Sequence, residues 1–271
     1  MGSQYPRSRG YYCGEVLGAK DVEINIMTAL FPNGGGLERE KLRSALTMNW
    51  ELGGYTLTSV SSYSEEDELN EVDASYGGYD PFAGSTPPNP GANWRIQGEA
   101  RDDLSQELRL RSPGDGAFRW LAGAYYFRGS DDRVREDKVL PTGQVVRNPQ
   151  NVLSTTDIEN TAVFGSAEYD FTDQWTGTLE LRVADDKITT DYLDAAGTRL
   201  SNTWSSTKPR ATLRYEPDSD LMFYASFAQG NKPGLFNEAR AVTVGASQAV
   251  DEEESDNYYM EIGRASCRER V

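Results

Sequence analysis

The chain has 271 residues, a formal net charge of −16, 11% aromatic residues and no histidine. Acids outnumber bases 43 to 27, so the clustered Lys and Arg that grip phosphates are missing and nucleic acid is excluded as a partner. Without histidine there is no Ser-His-Asp triad, no His-bound zinc and no imidazole proton shuttle.

Cys13 and Cys267 stand near opposite ends in no metal-ligand spacing, and neither a metal nor a cofactor is expected. The longest nearly apolar run, residues 120–127, is far shorter than the ~20 residues a membrane helix needs. Arg7 and Arg9 are followed by no apolar stretch, so no signal peptide is recognisable.

Residues 1–38 show no clear pattern and are set aside as a leading segment with room for one strand and a loop. From there on, alternation with the period of a strand dominates. Leu42, Ser44, Leu46, Met48, Trp50 and Leu52 share one face, with Arg43, Thr47, Asn49 and Glu51 on the other. Val163, Gly165, Ala167, Tyr169 and Phe171 oppose Ser166, Glu168 and Asp170; Leu179, Leu181 and Val183 oppose Thr178, Glu180 and Arg182. Ala211, Leu213 and Tyr215 repeat the split, and Tyr258, Met260 and Ile262 close it.

Short turns made of hairpin residues fall at Gly53-Gly54, at residues 112–116, at Thr172-Asp173-Gln174 and at residues 217–220. Long polar connections fall between them, at residues 65–94, 131–159, 185–202 and 234–254. An antiparallel up-and-down meander with short turns at one end and long loops at the other is the layout of an outer-membrane barrel. Trp50, Tyr55, Tyr169, Phe171, Trp175, Tyr215 and Phe223 all lie close to a short turn, where an aromatic girdle would meet the membrane interface.

The segment Ser105-Gln106-Glu107-Leu108-Arg109-Leu110-Arg111-Ser112-Pro113-Gly114-Asp115, followed by Arg119-Trp120-Leu121-Ala122-Gly123-Ala124-Tyr125-Tyr126-Phe127, resembles the barrel of TonB-dependent outer-membrane receptors. The likeness continues at Ala162-Val163-Phe164-Gly165, Leu179-Glu180-Leu181-Arg182 and Pro209-Arg210-Ala211-Thr212-Leu213. It peaks at residues 223–237, a Tyr-Ala-Ser strand entering a Lys-Pro-Gly loop. Asn231 departs from the family's usual aromatic, and Leu235 from a common second glycine. The resemblance covers roughly residues 42–263.

The resemblance implies an all-β fold, part of a large transmembrane barrel of about 22 strands, with about nine or ten strands present. It divides the chain into residues 1–38, a partial barrel at 39–263, and a tail at 264–271 that breaks alternation and looks non-native. It further implies energy-coupled uptake of a scarce substrate such as a ferric siderophore, and a place in the outer membrane. The implied partners are outer-membrane lipid, the ligand, and the TonB complex acting through a plug that finds no match in this sequence. No catalytic residue is implied. A soluble β-rich binding module and a plugless porin or adhesin barrel are the alternatives.

Two groups of residues are candidates for ligand contact. Tyr76, Tyr79, Phe82 and Trp94 lie in a long connection, where aromatics can hold a bulky ligand or pack beneath the loop. Arg109, Arg111, Arg182 and Arg214 sit on the polar faces of strands, where they can line a path for an anionic chelate or pair with Glu107, Glu180 and Glu216. The acidic runs 65–68 and 251–254 lack the spacing and turn glycine of a calcium loop. Ser205-Ser206-Thr207-Lys208 and Ser255-Asp256-Asn257 match two β-lactamase elements. On a strand, however, Ser205 and Lys208 point to opposite faces and cannot act as nucleophile and base.

Overall fold

The computed structural model describes residues 36–73, 93–139, 146–147, 152–192, 197–218, 221–237 and 245–263. Both cysteines and the segments 1–35 and 264–271 lie outside them. The described residues contain strands and turns but no helix.

The main strands are β1 (Gly36–Leu52), β2 (Tyr55–Asp73), β3 (Asn93–Arg111) and β4 (Phe118–Val139). A short β5 (Val146–Arg147) precedes β6 (Val152–Asp170), β7 (Trp175–Tyr192), β8 (Arg199–Asp218) and β9 (Leu221–Lys232). The pieces β10 (Leu235–Phe236) and β11 (Ala249–Val250) come before β12 (Glu253–Gly263). The sheet order is β1-β2-β3-β4-β6-β7-β8-β9-β12, every neighbour antiparallel, with β5 attached to β4. Among the described residues nothing pairs β12 with β1, so this all-β meander is an open, nine-strand stretch of sheet.

The short turns fall where the turn chemistry requires. Gly53 and Gly54 take φ of 60° and 89° between β1 and β2, the left-handed pair that a two-residue hairpin needs. Thr172 closes the β6–β7 turn by accepting from the backbone N–H groups of Gln174 and Trp175 at 3.2 and 3.1 Å.

The two faces of the sheet invert the usual order of a soluble domain. Leu46, Leu179 and Met260 are 57%, 66% and 83% exposed, and they belong to a continuous outward apolar band that starts at the short turns. The register joins its members strand to strand, as in Ala167, Leu179, Ala211, Phe227 and Tyr258. Near the turns Trp175 stacks on Tyr215 at 4.4 Å and Tyr215 on Phe223 at 6.2 Å, which places aromatics at one rim of the band. The band does not follow the hydrogen-bonded rows. Its upper edge is Leu42 on β1, whereas the row through Leu42 runs to Glu65, Asp102, Ser130 and Asp157.

The strands outrun what alternation of apolar residues can mark. Residues 65–73, 131–139, 152–159, 185–192 and 199–202, expected in loops, are paired strand. Backbone pairing is indifferent to hydrophobicity, so the ladder continues past the point where the apolar band stops and both faces turn polar.

Above Arg210 and Ala228 the pairing of β8 with β9 ceases, while β8 stays on β7 as far as Arg199 and β9 on β12 as far as Lys232. The β10–β11 hairpin fills this seam on the inward side. Its Phe236 ring lies 5.8 Å from that of Trp204 on β8, Asn237 accepts from the Tyr192 hydroxyl at 3.2 Å, and Lys208 reaches Glu254 at 2.7 Å. Gly234 is required there, because an added Cβ would come within 2.6 Å of the Trp204 indole. The buried hydrophobic residues among those described are Ala162, Ala184, Ile188 and Trp204, all on inward positions of β6, β7 and β8.

Candidate functional site

The inward face is polar, and its cations are mostly committed. Arg119 on β4 binds Glu168 at 2.6 Å and Asp170 at 2.6 Å, a planar fork matched to two carboxylates. Arg210 meets Glu180 at 3.3 Å and Arg214 meets Glu216 at 3.1 Å. Arg214 also donates to Thr176 at 3.2 Å. Arg182 donates to Asn160 at 3.0 Å and lies 5.4 Å over the Tyr125 ring, a cation–π contact. Asn160 in turn donates to Asp186 at 2.6 Å.

Of the arginines expected to line a path, Arg109 pairs with Glu107, Arg182 and Arg214 are held as above, and Arg111 has no carboxylate partner among the described residues. The register sets Arg109, Gly123, Phe164 and Arg182 in one row, so Arg109 and Arg182 stand three strands, or roughly 14 Å, apart. They share a face without converging. Tyr76, Tyr79 and Phe82 lie outside the described residues. Trp94 belongs to β3, opposite Asp73 and Lys138, and not to a loop.

Sequence reading missed the most connected charge cluster. Above the apolar band Arg101 pairs with Glu99 on its own strand and with Asp131 on β4 at 3.3 Å. Arg133 pairs with Asp131 at 2.8 Å and Glu99 at 3.6 Å, and its hydrogen bond to Asp131 raises the affinity of the guanidinium for its proton. The signal was present as Glu-x-Arg on β3 facing Asp-x-Arg on β4, two alternations that antiparallel pairing turns into a ring.

The acidic run 65–68 is likewise tied down. Glu66 accepts from Lys41 and lies 3.2 Å from Arg39, and Glu68 binds Arg39. The Lys41 hydrogen bond and charge hold Glu66 below the ordinary carboxylate value against a smaller desolvation effect. Among the described residues no group of three or more His, Cys, Asp or Glu is arranged to hold a metal ion. Ser205 donates to Asp185 at 2.6 Å while Lys208 serves Glu254, so the β-lactamase-like run is divided between two networks.

Two hollows remain. One of about 580 Å³ lies among outward apolar residues including Leu179, Leu213 and Met260, a surface suited to lipid chains. The other, of about 440 Å³, lies inward between the wall and the hairpin, bounded by Asp131, Arg133, Thr190 and Phe236.

Residues 14–263 match the family described as TonB dependent receptor-like, beta-barrel. Among solved structures, the ferric yersiniabactin uptake receptor FyuA of Yersinia pestis is similar at 17% identity and a TM-score of 0.63, over 83% of this chain and 33% of that one. BauA, the ferric preacinetobactin receptor of Acinetobacter baumannii, is similar at 15% identity and a TM-score of 0.62, over 83% and 35%. The ferric citrate transporter FecA gives 13%, 0.64, 85% and 33%. At these identities the likeness is one of fold, and the chain spans about a third of each structure's length. No curated protein matches the chain by sequence. A family match that runs the length of a meander with an apolar outside and a charge-paired inside leads to one conclusion: the chain belongs to the TonB-dependent receptor-like β-barrel family.

Proposed function

We propose that the chain is part of the wall of an outer-membrane receptor that takes up a ferric siderophore, driven by TonB acting on a plug region. The observation that carries this reading is the inversion of the sheet, apolar outward and ion-paired inward, which fits lipid on one side and a polar conduit on the other. Two of the similar structures are described as a ferric yersiniabactin uptake receptor and a ferric preacinetobactin receptor. The chain's work is binding and passage, with no covalent chemistry. Outer-membrane lipid covers the band. Arg109, Arg111, Arg182 and Arg214 line the conduit, and Tyr76, Tyr79, Phe82 and Trp94 are the aromatics assigned to hold the ligand from outside.

The test is uptake of radioactive iron by cells carrying the complete gene, compared with cells lacking that gene and cells lacking TonB. Uptake of at least one ferric siderophore is expected to fall tenfold or more in both deletions. Equal uptake in all three strains, across hydroxamate, catecholate and carboxylate chelates, would overturn the proposal.

A further inference from the structure

The outward hollow of about 580 Å³ is a dent in the apolar band, made where side chains are small. Ala167 on β6, Gly177 on β7, Ala211 on β8 and Ala225 on β9 stand on four successive strands. Beside them Leu179, Leu213 and Phe227 form its walls. On each strand the small residue and its large outward neighbour are about 7 Å apart, so the hollow is a channel one side chain wide. An α-helix, ~10 Å across with its side chains, does not enter it. From β6 to β12 the channel crosses four strand-to-strand steps, roughly 19 Å, against ~15 Å for half of a bilayer's hydrocarbon core.

One end of the channel lies at the short turns. Phe118 opens β4 and Phe171 follows β6, whereas Ala211 and Ala225 lie deeper along β8 and β9, so the channel climbs from the rim into the band. Gly177 shapes the rim end: an added Cβ would come within 2.7 Å of the Phe171 ring, which folds over β7 and meets Tyr169 edge to face at 5.3 Å. The charge at this end has one sign. Asp115 in the β3–β4 turn and Asp173 in the β6–β7 turn are exposed. The described residues of the short turns, 53–54, 112–117 and 171–174, include no Lys or Arg. Arg119, at the start of β4, is spent on Glu168 and Asp170 on the inward side.

A channel this narrow, apolar along its length and open at an aromatic rim, has the shape of a single extended hydrocarbon chain, and the rim charge selects the headgroup. An anionic headgroup is repelled by Asp115 and Asp173. A quaternary ammonium is attracted but donates no hydrogen bond, whereas a primary ammonium is attracted and donates. We propose that the channel holds one acyl chain of a zwitterionic phospholipid bearing a primary ammonium, with that ammonium drawn to the carboxylates of the short turns. The site rests on lipid covering the outward band, as in the reading above, and makes no demand on the cargo.

The test reconstitutes the complete receptor carrying this chain in vesicles of phosphatidylethanolamine, phosphatidylglycerol and phosphatidylcholine in equal parts, all with the same acyl chains. The receptor is then extracted in mild detergent and weighed intact with its retained lipid by native mass spectrometry, and mobility on unboiled gels checks that each variant is folded. Phosphatidylethanolamine is expected to be retained about fivefold more than phosphatidylglycerol, a ratio in keeping with an exposed ion pair, and more than phosphatidylcholine. Ala211→Phe, which fills the channel, is expected to lose the retained lipid, whereas Ala124→Phe, outward on β4 and away from the channel, is expected to keep it. Asp115→Asn with Asp173→Asn is expected to retain phosphatidylethanolamine and phosphatidylglycerol equally. Equal retention of the three lipids by the unaltered receptor, or the same response to Ala211→Phe and Ala124→Phe, would overturn the site alone. A dimer that Ala211→Phe breaks, with no lipid retained, would overturn it in favour of a second copy of the chain. Failure of the receptor to insert into vesicles would overturn the lipid-facing reading of the band together with the site.

Discussion

Lys208 on β8 donates to Glu254 on β12 at 2.7 Å, across the stretch where β8 and β9 have stopped pairing. The partners are unequally placed, since the Lys208 side chain is 11% exposed and that of Glu254 is 69% exposed. Deleting the exposed partner strands a nearly buried ammonium, whereas deleting the buried one leaves a carboxylate in water. Glu254→Gln is therefore expected to loosen the hairpin more than Lys208→Met. Chymotrypsin cleavage within residues 233–252 should be faster in Glu254→Gln, and the reverse order would refute the argument.

Trp204 anchors the same hairpin from the wall. Trp204→Ala removes one of the few buried apolar side chains, at an expected cost of about 3 kcal/mol, and Gly234→Val undocks the hairpin from the opposite side. Both should raise proteolysis of residues 233–252 and leave cleavage at the short turns unchanged. Uniform digestion in either variant would mean that the hairpin and the sheet unfold together.

The outward band makes a depth-dependent prediction. Leu179 lies midway along the band on β7, so Leu179→Arg is expected to cost about 2–4 kcal/mol of folding free energy in lipid vesicles. Inward Thr178→Lys, beside Glu168, is expected to cost under about 1 kcal/mol. Urea titration of the receptor in vesicles would measure both, and equal costs would argue against lipid on the Leu179 face.

Glu66 gives a pH dependence whose direction is fixed. A carboxylate held below its unfolded value, ordinarily about 4.3, contributes stability above that value and loses it as pH falls through the lower folded value. The upper β1–β2 ladder should exchange its amide hydrogens faster as pH is taken down through this window, after correction for intrinsic rates. Lys41→Met should flatten the dependence, and an unchanged profile in that variant would assign the effect to another pair.

The meander, its short turns and its two faces were legible in the chain because an apolar residue stands at every second position from Trp175 to Val183 apart from Gly177. Where that alternation ends, residues 65–73 or 185–192 look like loop although they are strand. Arg109, Arg182 and Arg214 could be assigned to the polar face but not to their partners. Whether Arg182 meets Glu180 beside it or Asn160 across the sheet depends on register, which a single strand does not reveal. The Glu99–Arg101–Asp131–Arg133 ring needed two strands to be aligned, and the Trp204–Phe236 contact needed a loop to fold back.

The slant of the apolar band against the hydrogen-bonded rows contains the geometry of the closed wall. The row from Leu42 arrives at Ser201 on β8, whereas the band's edge there is Pro209, a drift of 209 − 201 = 8 residues across six strand-to-strand steps. With about 3.3 Å per residue and about 4.8 Å between strands, such a drift inclines the strands by roughly 40° to the membrane normal, inside the range of outer-membrane cylinders. The pitch of the strands is thus written in the placing of polar residues, and the described stretch of sheet already carries the stagger that closing a sheet into a barrel requires.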